Sequence, residues 1–266
     1  MGYWQREFLR SGATWANGGT FKEDLPKNGR LGSIQVHARR AGVTDAFNAA
    51  EKGRLLDYIS KIEVIANGET IIKSHTGELA KALTFFDGGG SAPDQEFNYG
   101  SSTKRAHFML NFGRKLFDRQ MYLDLSKFDN VELQLTNDGS STFFGGDWTV
   151  DVLCYYLRGD AVPPHLGYMR TEEWRKWTTV ADERKYLDIP IALPLRRIIL
   201  QVLAGVSATE NASDTPYNVV DDIELYLKSR VLKVMDYSLR DLWYENYFNY
   251  GKEQLAVLEP YMSNGQ

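Results

Sequence analysis

Cysteine is almost missing from this chain: Cys154 is the single one among 266 residues. No internal disulfide can form, so the fold must stand on its apolar core or on assembly contacts. Long hydrophobic runs are missing too, and none approaches the roughly 18 residues needed to cross a bilayer as a helix. The opening Met1-Gly2-Tyr3-Trp4-Gln5-Arg6 lacks the apolar centre of a secretion signal. Gly2 is not followed by a Ser or Thr at position 6, as a myristoylation signal requires. A chain made and folded in a cytoplasm is expected, and the Asn211-Ala212-Ser213 sequon is then a coincidence. An excess of one charge is also missing. Net charge is −4, with no basic tail, which argues against electrostatic wrapping of nucleic acid and against direct sequence-specific contact with it.

Catalytic signatures are equally scarce. His37, His75, His107 and His165 are scattered, and no two share metal-ligand spacing on one element. His37 and His107 fall on alternating runs and read as exposed strand residues. No Gly-x-Ser-x-Gly elbow occurs, and no Ser/His/Asp set can be argued from spacing. Cys154 alternates with Trp148, Val150, Val152 and Tyr156, so it reads as a small buried hydrophobe and not as a nucleophile. The acidic pairs are Glu172-Glu173 and Asp221-Asp222. The second could hold a calcium ion, but without a spaced series of oxygen ligands a solvated turn is the better reading. Gly88-Gly89-Gly90 is followed by no Lys-Ser/Thr pair and reads as a surface loop rather than a phosphate cradle. No catalytic, cofactor or metal residue is assigned, and no enzyme activity is expected.

What the chain does have is β-pattern. Aromatic residues make up 13%, an enrichment that suits strands and packed interfaces. Residues 58–73 carry the strongest signal. Asn67-Gly68 separates two β-rich runs, and a type I′ hairpin needs positive φ at both positions. Ile62 and Val64 alternate with Lys61 and Glu63, so one face can be buried. A short helix follows, with Thr76 as its cap and Leu79, Ala82, Leu83 and Phe86 on one face.

Further strands are expected over 31–39, 103–112, 119–125, 131–135 and 148–157. Residues 1–22 read as an irregular arm and 23–160 as one β-sandwich of seven or eight strands. Ala161-Val162-Pro163-Pro164-His165 is the best boundary, because two prolines stiffen a linker and cannot sit in a central strand. Beyond it strands are expected at 174–180, 185–191, 195–203 and 220–234, then a helix opened by Ser238 with Leu239, Leu242, Trp243 and Tyr247 on one face.

The second region repeats the first. Asp24-Leu25-Pro26 sets over Asp188-Ile189-Pro190, and Ile34, Val36 and Ala38 fall on Ile198, Leu200 and Val202. Ile62-Glu63-Val64 then meets Ile223-Glu224-Leu225, Ile71-Ile72-Lys73 meets Val231-Leu232-Lys233, and Leu79 meets Leu239. A second register sets Tyr122-Leu-Asp-Leu125 over Tyr186-Leu-Asp-Ile189. The first is preferred because only it accounts for both helical patches. In that register about 70 residues follow the first helix before the linker and only about 16 follow the second. The second barrel, over 161–266, therefore reads as short by roughly half: either the sequence stops early, or the second unit is completed differently, or a neighbouring chain completes it by strand donation.

The order of these features resembles the double jelly-roll major capsid proteins of tailless icosahedral DNA viruses of bacteria and archaea. The resemblance runs from about residue 20 to 250. It is carried by Leu25-Pro26 leading into Leu31-Gly-Ser-Ile-Gln-Val36, by Ile62 to Gly68 with its helix, by His107-Phe-Met-Leu-Asn-Phe-Gly-Arg114 with Asp118, and by Val131-Glu-Leu-Gln-Leu135 before a Pro-rich link and a second copy. It implies an all-β tandem jelly-roll sandwich with short helices. It also implies a shell subunit of the virion that associates as pseudo-hexagonal homotrimers in a capsid lattice and meets penton and minor capsid proteins. In that family N-terminal segments face inward, so Trp4, Arg6, Phe8, Arg10 and Trp15 would form an arm towards an inner viral membrane; a strap over the chain's own barrel is the other reading. The long loops at 40–57, 87–102 and 207–218 are candidates for contacts between capsomers. The rival class is a carbohydrate-binding or carbohydrate-active β-sandwich, with Trp148, Trp174 and Trp177 stacking on sugars.

Overall fold

The computed structural model describes residues 2–42, 55–88, 103–139, 145–159, 163–178, 180, 182–189, 193–202, 220–227 and 232–250. The sequon and most of the three long loops lie outside the described residues. The chain divides into two compact units, Met1–Trp177 and Thr178–Gln266.

Unit 1 is a sandwich of two sheets. One is built from β1 (Tyr3–Trp15), β3 (Arg30–Ala41), β6 (Thr103–Asn111) and β9 (Trp148–Arg158), in the order β1-β9-β3-β6, with the short β7 (Leu123–Asp124) beside β3. The other holds β2 (Thr20–Asp24), β4 (Ile59–Ala66), β5 (Thr70–His75), β8 (Val131–Asn137) and the short β10 (Thr171–Glu172), in the order β10-β5-β4-β8-β2. Setting aside the two short strands, the sequence ranks of the remaining eight run 1-8-3-6 in one sheet and 2-7-4-5 in the other. This is the jelly-roll arrangement of an eight-stranded double sheet.

Side-chain alternation explains why these segments pair. Ile34, Val36 and Ala38 of β3 face inward opposite Cys154, Val152 and Val150 of β9, and all six are buried. Ile62 and Val64 of β4 lie opposite Leu135 and Leu133 of β8, also buried. The two inward faces close a single core at roughly 25 cal/mol per Å² of apolar surface removed from water. Asn67 (φ 54°) and Gly68 (φ 75°) both take the left-handed conformation expected of the β4–β5 turn. Asn67 Oδ1 accepts the Asp129 amide at 2.8 Å and so ties the hairpin tip to the approach of β8. Helix α1 (Gly77–Asp87) is capped by Thr76, whose hydroxyl accepts the Leu79 amide.

Several expectations are corrected. Residues 3–15 are not an arm: they form β1, paired antiparallel with β9 from Tyr3 opposite Arg158 to Trp15 opposite Trp148. The strand escaped sequence pattern because the register shifts between Phe8, Arg10 and Ala13, with Gly12 at φ 65° in the shifted stretch. The shifts break period-2 alternation. Trp15 is a core residue, edge-on to Trp148 at 5.0 Å. Residues 119–125 contribute only β7, running into a 3-10 turn at Leu125–Lys127. In α1 the buried residues are Gly77, Ala80 and Phe85, while Leu79, Ala82, Leu83 and Phe86 are half-buried. The Pro-rich link does not end unit 1. His165 stacks on Tyr122 at 4.2 Å, the Met169 amide donates to the Phe112 carbonyl, and β10 pairs in parallel with β5.

Unit 2 contains β11 (Asp222–Leu227), β12 (Leu232–Ser238) and α2 (Leu239–Tyr250), the last capped by Ser238 through the Asp241 amide. Hairpin and helix recur in the order of β4, β5 and α1, as the preferred repeat register requires. The described residues of 174–180, which straddle the end of unit 1, and of 185–191 and 195–203 form no strand and are largely exposed. The jelly-roll order supplies the reason. Among the first five of eight strands, only the fourth and fifth are sheet neighbours; the first pairs with the eighth, the second with the seventh, and the third with the sixth and eighth. Counterparts of the sixth, seventh and eighth do not occur among the described residues of unit 2, where the hairpin is the paired element.

Trp148→Ala should therefore cost unit 1 about 3–5 kcal/mol through the cavity it leaves against Trp15. A fall in the urea midpoint, with faster amide exchange along β9 and β1, would report it.

Candidate assembly surface

The loop from Phe112 to Tyr122, between β6 and β7, is held by a single carboxylate. Asp118 accepts the backbone amides of Arg114, Gln120 and Met121 at 3.0–3.3 Å and the Arg114 guanidinium at 2.8 Å. Burial would raise its pKa, but the hydrogen bonds from Arg114 and from the Gln120 and Arg114 amides outweigh that, and the group is held at about 2. Gly113 has no room for a side chain, since a Cβ there would sit 2.6 Å from the Asp118 Cβ and 2.8 Å from the Met121 carbonyl oxygen. The Arg114 and Asp118 of the sequence motif are thus one loop staple. Its product is Phe117, a non-glycine residue at φ 64° that is 47% exposed. Such a backbone costs of order 1 kcal/mol or more and persists only where neighbours over-determine it.

Phe117 joins an apolar row on the outer face of the β1-β9-β3-β6 sheet. Its ring lies 5.5 Å from Trp4 and 5.9 Å from Tyr155. Trp4 lies flat against Gly32, where a Cβ would come within 2.4 Å of the indole. Phe8, two pairs along β1, is 60% exposed. Of the residues expected in an inward arm, Trp4 is packed on this face and Arg10 donates to the buried Glu23 at 2.5 Å. Phe8 is the apolar residue of the set that remains exposed to solvent.

The remaining polar residues do not converge. Among the described residues no three of His, Cys, Asp and Glu lie close enough to hold a metal ion. Cys154 is buried, and burial pushes its thiol up to about 12. Glu172 pairs with Arg170, and the Asp221 carbonyl accepts the Leu239 amide at the start of α2. Trp148 is buried in the core, so it cannot stack on a sugar; Trp174 lies in an extended stretch of unit 1. One pairing was missed by sequence reasoning. His37 and His107 are directly opposed on β3 and β6, edge-to-face at 4.5 Å and half-buried rather than exposed. The strand register that joins them cannot be read from either segment alone.

Unit 2 offers a second surface. On one side of its hairpin, Lys233 bridges Glu224 at 2.7 Å and Asp236 at 3.0 Å, over the Tyr226 ring. On the other side Ile223, Leu225 and Leu227 lie opposite Tyr237, Met235 and Leu232. No residue of α2 is buried, and Trp243 and Tyr247 stack at 6.1 Å on its surface.

No protein-family model matches the chain, and no curated protein matches it. Solved structures do. The chain is similar to the STIV MCP, with a TM-score of 0.47 and 13% identity over 60% of this chain and 50% of that one. It is also similar to PBCV-1 VP54 fitted into the virophage Sputnik reconstruction (TM-score 0.43, 16% identity, 60% and 43%). A third is the major capsid protein P2 from bacteriophage PM2 (TM-score 0.38, 14% identity, 60% and 52%). The chain spans about half the length of these structures or less.

Acid should loosen unit 1 through its histidines. Burial lowers His75 to about 4, assisted by the charge of Lys73. It also lowers His107 to about 4, assisted by His37 and Arg105. Both are neutral in the fold, whereas the unfolded chain gains protons below about 6.5. Stability is therefore full above pH 6.5 and is lost as pH falls towards 4, by about 3 kcal/mol for the deeply buried His75. Asp118 does not mask this, because its contribution fades only below about pH 4. Urea midpoints across pH 4–7 should show the slope, and His75→Asn should flatten it.

Proposed function

We propose that the chain is a structural shell subunit, a major capsid protein of the double jelly-roll class, resident in the virion capsid. The observation that carries this reading is architectural. A complete jelly roll is followed by a second copy of its hairpin and capped helix, in the order that the internal repeat and the family resemblance require. Fold alone does not give function. The second support is the distribution of residues: carboxylates are spent on staples such as Asp118 and Glu23, while apolar groups such as Phe8 and Phe117 face outward.

The mechanism is burial between subunits. Stable interfaces cover roughly 1,600 Å² in total, with aromatic anchors at the centre. A closed symmetric ring turns modest pairwise contacts into a stable assembly. The finer reading is a pseudo-hexagonal homotrimer in a capsid lattice that meets penton and minor capsid proteins, with no catalytic turnover. Contact with an inner viral membrane, if made by β1, falls to Phe8 and Arg6 rather than to Trp4 and Arg10.

Size-exclusion chromatography with light scattering, followed by negative-stain imaging, tests this. Trimers or larger bodies with a six-lobed outline are expected. Phe117→Asp should weaken association at least about tenfold while leaving the barrel's unfolding free energy, from urea titration, within about 0.5 kcal/mol. A stable monomer with measurable hydrolase turnover would refute the reading.

A further inference from the structure

On the outer face of the β1-β9-β3-β6 sheet, two cross-strand pairs lie side by side. His37 is directly opposite His107, and Arg39 is directly opposite Arg105. Opposed side chains leave a sheet roughly 5 Å apart, and same-face neighbours along one strand leave it about 7 Å apart. The four residues therefore stand at the corners of a small rectangle. Both arginines are exposed, and like charges placed directly opposite destabilise a strand pair. Asp151 of β9, opposite His37, is already engaged: its carboxylate meets Arg39 at 3.3 Å and accepts the Gly12 amide at 2.6 Å. The two imidazoles meet edge-to-face at 4.5 Å. Both Nε2 atoms are shielded from water, and among the described residues neither has a hydrogen-bond partner. A shielded polar atom without a partner is costly. In a chain of net charge −4, this rectangle thus gathers two guanidiniums and two unspent ring nitrogens beside one carboxylate.

We propose that the rectangle of His37, His107, Arg39 and Arg105 is a binding site for a phosphate group. The tetrahedral oxygens accept from the guanidiniums, whose planar forks suit oxyanions, and from the Nε2 atoms as N–H donors. A divalent metal fits less well, because the pair offers two nitrogens with cationic side chains around them, and no third ligand joins them among the described residues. Burial holds His107 at about 4, assisted by His37 and Arg105, and it also lowers His37, where Arg39 and Arg6 of β1 assist and Asp151 opposes. Both rings are therefore neutral near pH 7. Helix α1, packed along β6, carries Glu78, Lys81 and Asp87, and Asp87 accepts the Asn111 side-chain amide at 3.4 Å. A bound anion favours the charged imidazole, so binding takes up protons and strengthens as pH falls. The inference rests on the β3–β6 register and not on the shell reading.

The probes are inorganic phosphate, glycerol 3-phosphate and sulfate, each titrated into the full chain at constant ionic strength while the imidazole resonances are followed by NMR. Saturable shifts at His37 and His107 are expected, with the buried His75 unmoved. Saturation should raise the proton affinity of both rings at least about tenfold. Sulfate, whose own charge is constant over the range, should bind at least about threefold more tightly at pH 5 than at pH 7. Arg105→Gln should weaken binding of each probe at least about tenfold and leave the urea midpoint unchanged or higher, since it removes one of two opposed like charges. Arg105→Lys, which keeps the charge but not the fork, should fall between the two. Comparable binding of ester and free ion assigns the site to a phosphate-bearing molecule, and binding of inorganic phosphate alone assigns it to the free ion; both uphold it. Absence of saturable shifts at the pair, the same shifts with chloride, indifference to Arg105→Gln, or saturable binding of zinc ion in place of phosphate would overturn the proposal.

Discussion

Strand order is the constraint on which everything else in this molecule depends. In the order 1-8-3-6 and 2-7-4-5, five of the six neighbour pairs join strands that are not consecutive in the chain. Only β4 and β5 meet through a local turn. The last long strand, β9, lies between the first and third, and its inward Val150, Val152 and Cys154 fill the space facing Ala38, Val36 and Ile34. Until β9 arrives, β1 has no partner and β3 lacks its central neighbour. The edge-on contact of Trp15 with Trp148 joins the ends of the first and last strands, so it can form only when the whole order is satisfied. Such a sandwich gains little from partial assembly, because loop-closure entropy must be met before the distant pairs reward it.

The same constraint accounts for the contrast between the units. Ile62-Glu63-Val64 and Ile223-Glu224-Leu225 carry nearly the same local code, and both adopt the strand of a hairpin followed by a capped helix. Their burial differs because burial belongs to neighbours, not to the segment. Unit 1 surrounds its copy with β8 on the flank and the opposite sheet across the core. The described residues of the extended stretches at 185–191 and 195–203 have no such flanking strands among the described residues. Their alternating pattern, Ile198, Leu200 and Val202 included, is therefore not expressed as a ladder.

What could be read from sequence divides along the same line. The β4–β5 turn, the Thr76 and Ser238 caps, and the alternations of β3, β6, β8 and β9 are local signals, and each is where its residues placed it. The misses are non-local. β1 is an edge strand with charged residues and a shifted register, so period-2 patterning fails there. The meeting of His37 with His107 depends on the β3–β6 register. The Asp118 staple was visible as a motif but not as a geometry. Its meaning rests on three backbone amides turned towards one carboxylate and on a glycine with no space for a Cβ. In α1 the residue spacing was legible, but which stripe faces inward was decided by the side from which β6 approaches.

The edges of unit 1 show how its surface can and cannot associate. An unpaired strand edge invites another chain, and stable β-proteins block it. The free edge of β6 is met by α1, where the Thr84 hydroxyl accepts the Met109 amide at 2.9 Å. The free edge of β5 is taken by β10, and its Lys73 ammonium donates to the Thr171 hydroxyl. β1 is broken by its register shifts and carries Arg6 and Arg10. β2 is only five residues long, with Lys22 reaching Glu132. Among the described residues, each of the four edges of unit 1 is thus covered by another element, broken in register or lined by charge.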